Sequence, residues 1–357
     1  MEKAPSQTQN TATQSDVSHI AVAVGYPPIQ SDKGTPLLSQ NRQFQFFNSP
    51  TYIYPMVPAY AASNLQDKGY KVYWMDGTAE RKHYDQWVEE LRATGANYFL
   101  LETKAPVVKR HWKIIDDLKK KIPELKIILV GDHATFMPLE SFENSAVDYI
   151  IKGGDYDFAI VNLLNHLYRG EALEGGIYWR EGNCDIQTVS SGETILPSGE
   201  KIYDSGPLLL KHRLDDLPFV DRDLTKWKLY AYENGNYKYT PATYMYSGRD
   251  CWWNRCTFCV WDHTINPVGS YRSFSPERLF AEVKYVVDNY GVKEIFDDAG
   301  TLFIGPKLKK FCELLIDSGY NKKVVYGCNM RFNALTQDYY DLMRRAGFRF
   351  ILYGMES

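Results

Sequence analysis

The chain has 357 residues, and its 41 Lys and Arg nearly balance 44 Asp and Glu, so a formal net charge of −3 gives neither nucleic acid nor an acidic membrane surface a hold on it. Six cysteines are too sparse for a disulfide scaffold, and three of them fall within nine positions, which favours a metal site in a reducing compartment. No uninterrupted apolar run of about 18 residues is present to span a membrane, and the N-terminus lacks the apolar stretch of a signal peptide. A cytoplasmic protein that handles a small molecule is therefore expected.

Residues 1–17, rich in Gln, Thr, Ser and Asn, predict a disordered tail. From 18 to 170 short β-rich runs alternate with longer helical ones, the pattern of a parallel sheet covered by helices. Strands are expected at 20–25, 70–75, 98–102, 127–131 and 149–152, and helices at 56–68, 84–94, 107–121, 139–144 and 156–168. Such βα units predict a doubly wound, Rossmann-like α/β domain whose ligand lies beyond the carboxyl ends of its strands. Those ends carry Tyr26, Thr103, Gly131, His133, Gly153 and Gly154. Glycine lets backbone approach a ligand closely, and it also ends strands in any α/β fold. Taken together the loops predict a ligand crevice.

Residues 171–240 read as a connector that docks two domains, with a small hairpin over 175–183 and a turn-rich loop at 214–219. A second series fills 241–357. Its strands are expected at 242–247, 294–296, 324–326 and 350–353, and its helices at 276–289, 306–318 and 336–346, the first capped by Ser275 with Pro276 at its opening position. Polar residues gather at the strand ends, as Asp297-Asp298, Asn329-Met330-Arg331 and Gly354-Met355-Glu356-Ser357. Four βα units arranged in this way predict part of a (β/α) barrel with its site on that face. An open edge after the fourth strand would leave backbone groups unpaired, so a truncated barrel is expected.

Between the first two elements of this second series lie Cys251, Cys256 and Cys259. Zinc would need a fourth ligand, for which His263 is available. An electron-transfer cluster would need a fourth cysteine, and Cys312 and Cys328 fall in a helix and after a strand. A [4Fe–4S] cluster held by three cysteines would keep one iron open for a ligand. Spacing leaves all three readings open; the position directly after a barrel strand favours the last. Cys184, Cys312 and Cys328 are expected to be plain thiols.

This arrangement resembles the radical S-adenosylmethionine enzymes. Most members have three residues between their first two cysteines, whereas here four, Trp252 to Arg255, intervene; the Thr257-Phe258 gap is the usual one. The resemblance implies a [4Fe–4S] cluster on Cys251, Cys256 and Cys259. It further implies S-adenosylmethionine contacts from Phe258, Gly354, Glu356 and Ser357, and from Asp298 and Arg331 unless those two form an ion pair. The 18–170 domain is similar to the cobalamin-binding domain of the cobalamin-dependent members of that class, which implies cobalamin contacts at Tyr26, Thr103, Gly131, His133, Gly153 and Gly154. No Asp-x-His-x-x-Gly segment is present to supply a histidine beneath cobalt; His133 is nearest by position. The implied activity is reductive cleavage of S-adenosylmethionine to a 5′-deoxyadenosyl radical and methylation of an unactivated carbon in a small molecule or peptide, with flavodoxin or ferredoxin as electron donor. Radical rearrangement, cyclisation or oxidation, or a non-catalytic metal- or corrinoid-binding role, are the alternatives. No catalytic side chain is assigned.

Overall fold

In a computed structural model the described residues are 16–29, 35–39, 42–47, 51–182, 191–260 and 265–355. Most of the expected tail, together with Cys184, His263, Glu356 and Ser357, lies outside them.

Runs such as Ala21-Val22-Ala23-Val24 and Ile127-Ile128-Leu129-Val130 are apolar at every position and buried throughout, as strands covered on both faces must be. The first part of the chain forms β1 (Ala21–Gly25), an antiparallel pair β2 (Thr35–Ser39) and β3 (Arg42–Phe47), then β4 (Lys71–Trp74), β5 (Tyr98–Thr103), β6 (Lys126–Gly131) and β7 (Tyr149–Ile151). Helices α1 (Met56–Asp67), α2 (Tyr84–Thr94), α3 (Val108–Lys121), α4 (Asp132–Phe136), α5 (Pro138–Asn144) and α6 (Tyr156–Arg169) alternate with them. Five parallel strands lie in the order β4-β1-β5-β6-β7, so the direction of winding reverses between β1 and β5. Ligands of open α/β sheets sit at such a switch point.

The segment expected to be a hairpin is instead one strand, β8 (Ile177–Arg180), paired antiparallel with β7. Its Ile177 and Trp179 are buried while Tyr178 and Arg180 are half-exposed, and that alternation docks it on the sheet. Two more strands, β9 (Gly192–Ile195) and β10 (Lys201–Asp204), follow antiparallel and extend the sheet to eight strands, ending β7-β8-β10-β9.

The second series forms β11 (Ala242–Met245), a short antiparallel ribbon of β12 (Gly248–Arg249) and β13 (Arg272–Ser273), α7 (Pro276–Tyr290), β14 (Glu294–Asp297), α8 (Pro306–Asp317), β15 (Val325–Met330), α9 (Gln337–Arg345) and β16 (Phe348–Tyr353). The Ser275 hydroxyl accepts from the Arg278 N–H at 3.1 Å, capping α7 as expected, a contact worth about 1 kcal/mol. Strands β11, β14, β15 and β16 are all parallel and adjacent in chain order, as in part of a barrel wall. Strand β15 runs four residues past the expected end: Gly327, Cys328 and Asn329 have weak strand propensity, yet they continue the ladder with β16, and a side chain at Gly327 would meet the Phe296 ring at 3.0 Å.

One apolar cluster runs from β1, α1 and α6 through Leu214, Leu217, Val220, Trp227 and Tyr230 into β11, β14, α7 and α8; a second fills the other face of the larger sheet beneath α2 and α3. No described helix is long and apolar enough to cross a membrane.

Candidate functional site

The cysteine loop leaves β11 through a fixed point. Asp297, at the end of β14, is buried and accepts from the Ser247 N–H (3.0 Å), the Ser247 hydroxyl (3.1 Å), the Ala299 N–H (3.2 Å) and the Tyr326 hydroxyl (2.9 Å). Burial pushes its carboxyl up to about 6, against the hydrogen bonds, which favour the charged form. Strand β12 follows, paired with β13 from the far side of the loop, and then Cys251. The longer first gap is accommodated at Asn254, whose φ of 49° lies in the left-handed region that asparagine tolerates better than most residues. Beyond it the Cys259 N–H donates to the Cys256 carbonyl at 3.0 Å and closes a tight turn.

All three cysteines are half-buried thiols that line one cavity of about 740 Å³. The loop after β14 contributes Gly300 and Thr301, the end of β15 contributes Asn329 to Asn333, and the end of β16 contributes Leu352 to Met355. Three strand ends and the cysteine loop thus share one hollow on the carboxyl face, of a size suited to a drug-sized ligand. A β-carbon on Gly300 would lie 3.1 Å from that of Cys251, so glycine there keeps space beside the first thiol. Among the described residues no three His, Cys, Asp or Glu side chains converge on a single-ion site.

Of the residues expected to touch S-adenosylmethionine, Phe258, Arg331 and Gly354 line this cavity. Phe258 is 66% exposed. The Arg331 guanidinium lies over the Trp253 ring, 3.4 Å from its centroid, and Arg255 approaches the same ring at 4.9 Å. Asp298 is buried beneath the rim, its N–H donating to the Met245 carbonyl and its carboxylate facing the Asn329 amide at 3.4 Å. Trp253, Gly300, Thr301 and the stacked pair Phe332 and Tyr353 (4.7 Å, 16°) were not expected there. Only Trp253 carried a signal, its place inside the cysteine loop.

At the switch point of the larger sheet the Tyr26 hydroxyl donates to Glu102 at 2.5 Å, and Lys104 lies 3.4 Å from the same carboxylate, all three buried. Burial, and then the Glu102 charge, push the Tyr26 and Tyr156 phenols well above their ordinary range. Thr103 bonds Nδ1 of the fully buried His111, whose Nε2 meets no hydrogen-bond partner among the described residues; burial pushes that imidazole down to about 3. Gly131 has φ 110°, and a β-carbon there would lie 2.1 Å from the Thr103 carbonyl oxygen, so strand packing by itself demands glycine. His133 packs edge-on to Trp112 (5.6 Å) with Nε2 2.9 Å from Glu140. Gly153 and Gly154 are covered by Leu208, Ile265 and Asn266, the last two from just beyond the cysteine loop. Both amide atoms of the buried Asn266 lack a hydrogen-bond partner among the described residues.

No protein-family model matches the chain. In sequence it is 23% identical over 310 residues to the anaerobic magnesium-protoporphyrin IX monomethyl ester cyclase of Cereibacter sphaeroides, an alignment that takes in 85% of this chain and 47% of that protein. In structure it is similar to the radical S-adenosylmethionine methyltransferase TsrM from Kitasatospora setae. The form with cobalamin and a [4Fe–4S] cluster matches with a TM-score of 0.60, and the form with tryptophan and a S-adenosylmethionine analogue with 0.64. Both are 14% identical over 94% of this chain, and the match takes in 58% and 59% of the TsrM chains. The chain therefore spans about half the length of the curated relative it matches. With its mostly parallel α/β sheet followed by four adjacent parallel strands, the chain shares the fold of the TsrM structures.

Proposed function

We propose that this chain carries the cobalamin-binding domain (18–170), a connector (171–240) and the cluster-bearing part of the barrel (241–357) of a radical S-adenosylmethionine enzyme that methylates an unactivated carbon. The observation that carries the reading is the shared cavity, onto which Cys251, Cys256 and Cys259 open together with Phe258, Arg331 and Gly354. When bound, the cluster and S-adenosylmethionine supply a reductively generated carbon radical and cobalamin supplies a methyl group; the protein's part is to hold and orient them.

Cys251, Cys256 and Cys259 would hold three irons of such a cluster, with the fourth open to a ligand. Gly300 keeps backbone rather than side chain beside Cys251, and Phe258 offers an exposed aromatic face to a planar base. Arg331, braced on Trp253, presents N–H donors suited to a carboxylate. The fold likeness to TsrM and the unpartnered amide of Asn266 beside Gly154 support a polar, amide-rich ligand at the strand ends. The cyclase relative favours a second reading, ring formation or oxidation at the same cavity without methyl transfer. In both readings the substrate is a small molecule and a cytoplasmic reductant such as flavodoxin or ferredoxin supplies the electron.

Anaerobic reconstitution of the purified protein should give iron and sulfide near about four per chain, and reduction with S-adenosylmethionine should release 5′-deoxyadenosine. A protein that retains zinc alone refutes the reading. Label carried from the S-adenosylmethionine methyl group into product separates methylation from cyclisation.

A further inference from the structure

The ribbon at the root of the cysteine loop cannot stand by itself electrostatically. In its register Arg249 of β12 faces Arg272 of β13, two like charges directly opposite on an antiparallel pair, an arrangement that repels. The acids that resolve it come from the other half of the molecule. Asp155, before α6, takes two bonds from Arg272 (2.6 and 2.8 Å) and one from Arg249 (3.2 Å). Asp157 accepts from the Arg249 guanidinium at 2.6 and 3.3 Å, and the Gly154 carbonyl accepts at 2.6 Å. Arg249, Asp155 and Asp157 are all buried.

Asp155 also occupies the N-cap position of α6, where its carboxylate would ordinarily bond a backbone N–H of the first turn; it makes no such cap. Its oxygens are given to the two arginines instead. The turn from β7 to α6 therefore completes a structure that belongs to the cysteine loop, and Cys251 stands two residues beyond Arg249.

We propose that Arg249 is a positioning residue for the cluster: gripped by Asp155, Asp157 and the Gly154 carbonyl, it lets the N-terminal sheet set where the first cysteine thiolate stands. This rests on the reading of the site as a cluster that binds S-adenosylmethionine. The same grip joins the Gly153-Gly154 turn to the root of the cysteine loop.

The test compares R249K and D155N with K119M, which breaks the part-buried Lys119–Asp148 pair (3.0 Å) within the N-terminal domain. Each protein is reconstituted anaerobically and reduced, and its electron paramagnetic resonance is recorded while S-adenosylmethionine is titrated, beside its melting temperature and iron content. In R249K and D155N the cluster signal should change shape, and half-saturation should need roughly 10-fold more S-adenosylmethionine, the scale on which groups that orient metal ligands act. K119M should melt earlier with a wild-type signal. Should R249K and D155N melt earlier while their loaded fractions keep the wild-type signal and titration, the role is structural alone and the inference fails. A wild-type protein that takes up no four-iron cluster refutes the underlying reading before any variant is compared.

Discussion

Replacing Asp297 by asparagine should remove a pH dependence from the stability of this protein. The carboxyl is raised from 3.8 to about 6, burial being the main cause. At about 1.4 kcal/mol per pKa unit the shift corresponds to about 3 kcal/mol. For a group raised in the folded state, that stability is fully present below pH 3.8 and is lost as pH rises through about 6. Asparagine keeps an oxygen for Ser247 and Ala299 and turns its amide toward the Tyr326 hydroxyl, which then accepts rather than donates, at a cost of about 1 kcal/mol. Urea unfolding of the metal-free protein, followed by tryptophan fluorescence at pH 4.5 and pH 7.5, should show D297N within about 2 kcal/mol of wild type at the higher pH. Its stability should fall less than that of wild type between the two pH values, by about 2 kcal/mol, because part of the effect is already lost at pH 4.5. Asp76, also raised to about 6 by burial, is present in both proteins and cancels in the subtraction. If the two pH profiles differ only by a constant offset, Asp297 is charged throughout and the reasoning fails. D297A should be far worse than D297N, because it orphans the four donors that hold the start of the cysteine loop.

Tyr230 joins the Trp74 indole (3.0 Å) to the Asp76 carboxylate (2.6 Å); Y230F should cost about 2 to 3 kcal/mol, more at pH 8 than at pH 5, since Asp76 loses a bond that favours its charge. G131A should abolish soluble expression, having both a positive φ and a carbonyl oxygen 2.1 Å from the new carbon, whereas G95A, open to solvent at φ 64°, should lose only about 1 kcal/mol in urea unfolding. C256S should reduce bound iron to background after reconstitution, while C312S should retain it, because Cys312 is buried in α8 with its thiol pushed up to about 12 by that burial.

Helices α2 and α7 were legible nearly to the residue because their apolar spacing coincides with strong ends: Gly95 and Gly291 in left-handed conformation close them, and Ser275 with Pro276 opens α7. Strand β8 was misread as a hairpin, since glycines on both sides imitate turn chemistry and nothing local announces that β10, twenty residues on, will be its partner. The cysteines announced themselves by type and spacing. Which residues would share their cavity could be anticipated only at strand ends, where topology does the selecting, and so Phe332 and Tyr353 escaped notice. The strand-end glycines taught the opposite lesson. Gly131 is glycine because a neighbouring strand leaves no room, and Gly153 and Gly154 because the second half of the chain lies against them; sequence shows that close approach is needed, not what approaches.

The continuous apolar cluster that threads from α1 and α6 through Trp227 and Tyr230 into β11 and α7 bears on how such proteins can be altered. The two halves are not cassettes. Tyr60 of α1 donates to Glu282 of α7 (3.0 Å), and Arg222 of the intervening segment bonds Thr243 of β11 (2.5 Å), so grafting either half onto a different partner would strand buried charges as well as oil. Recombination would have to carry the joining segment and both of its facing surfaces together, and calorimetry of the intact chain should register one cooperative melting event instead of two.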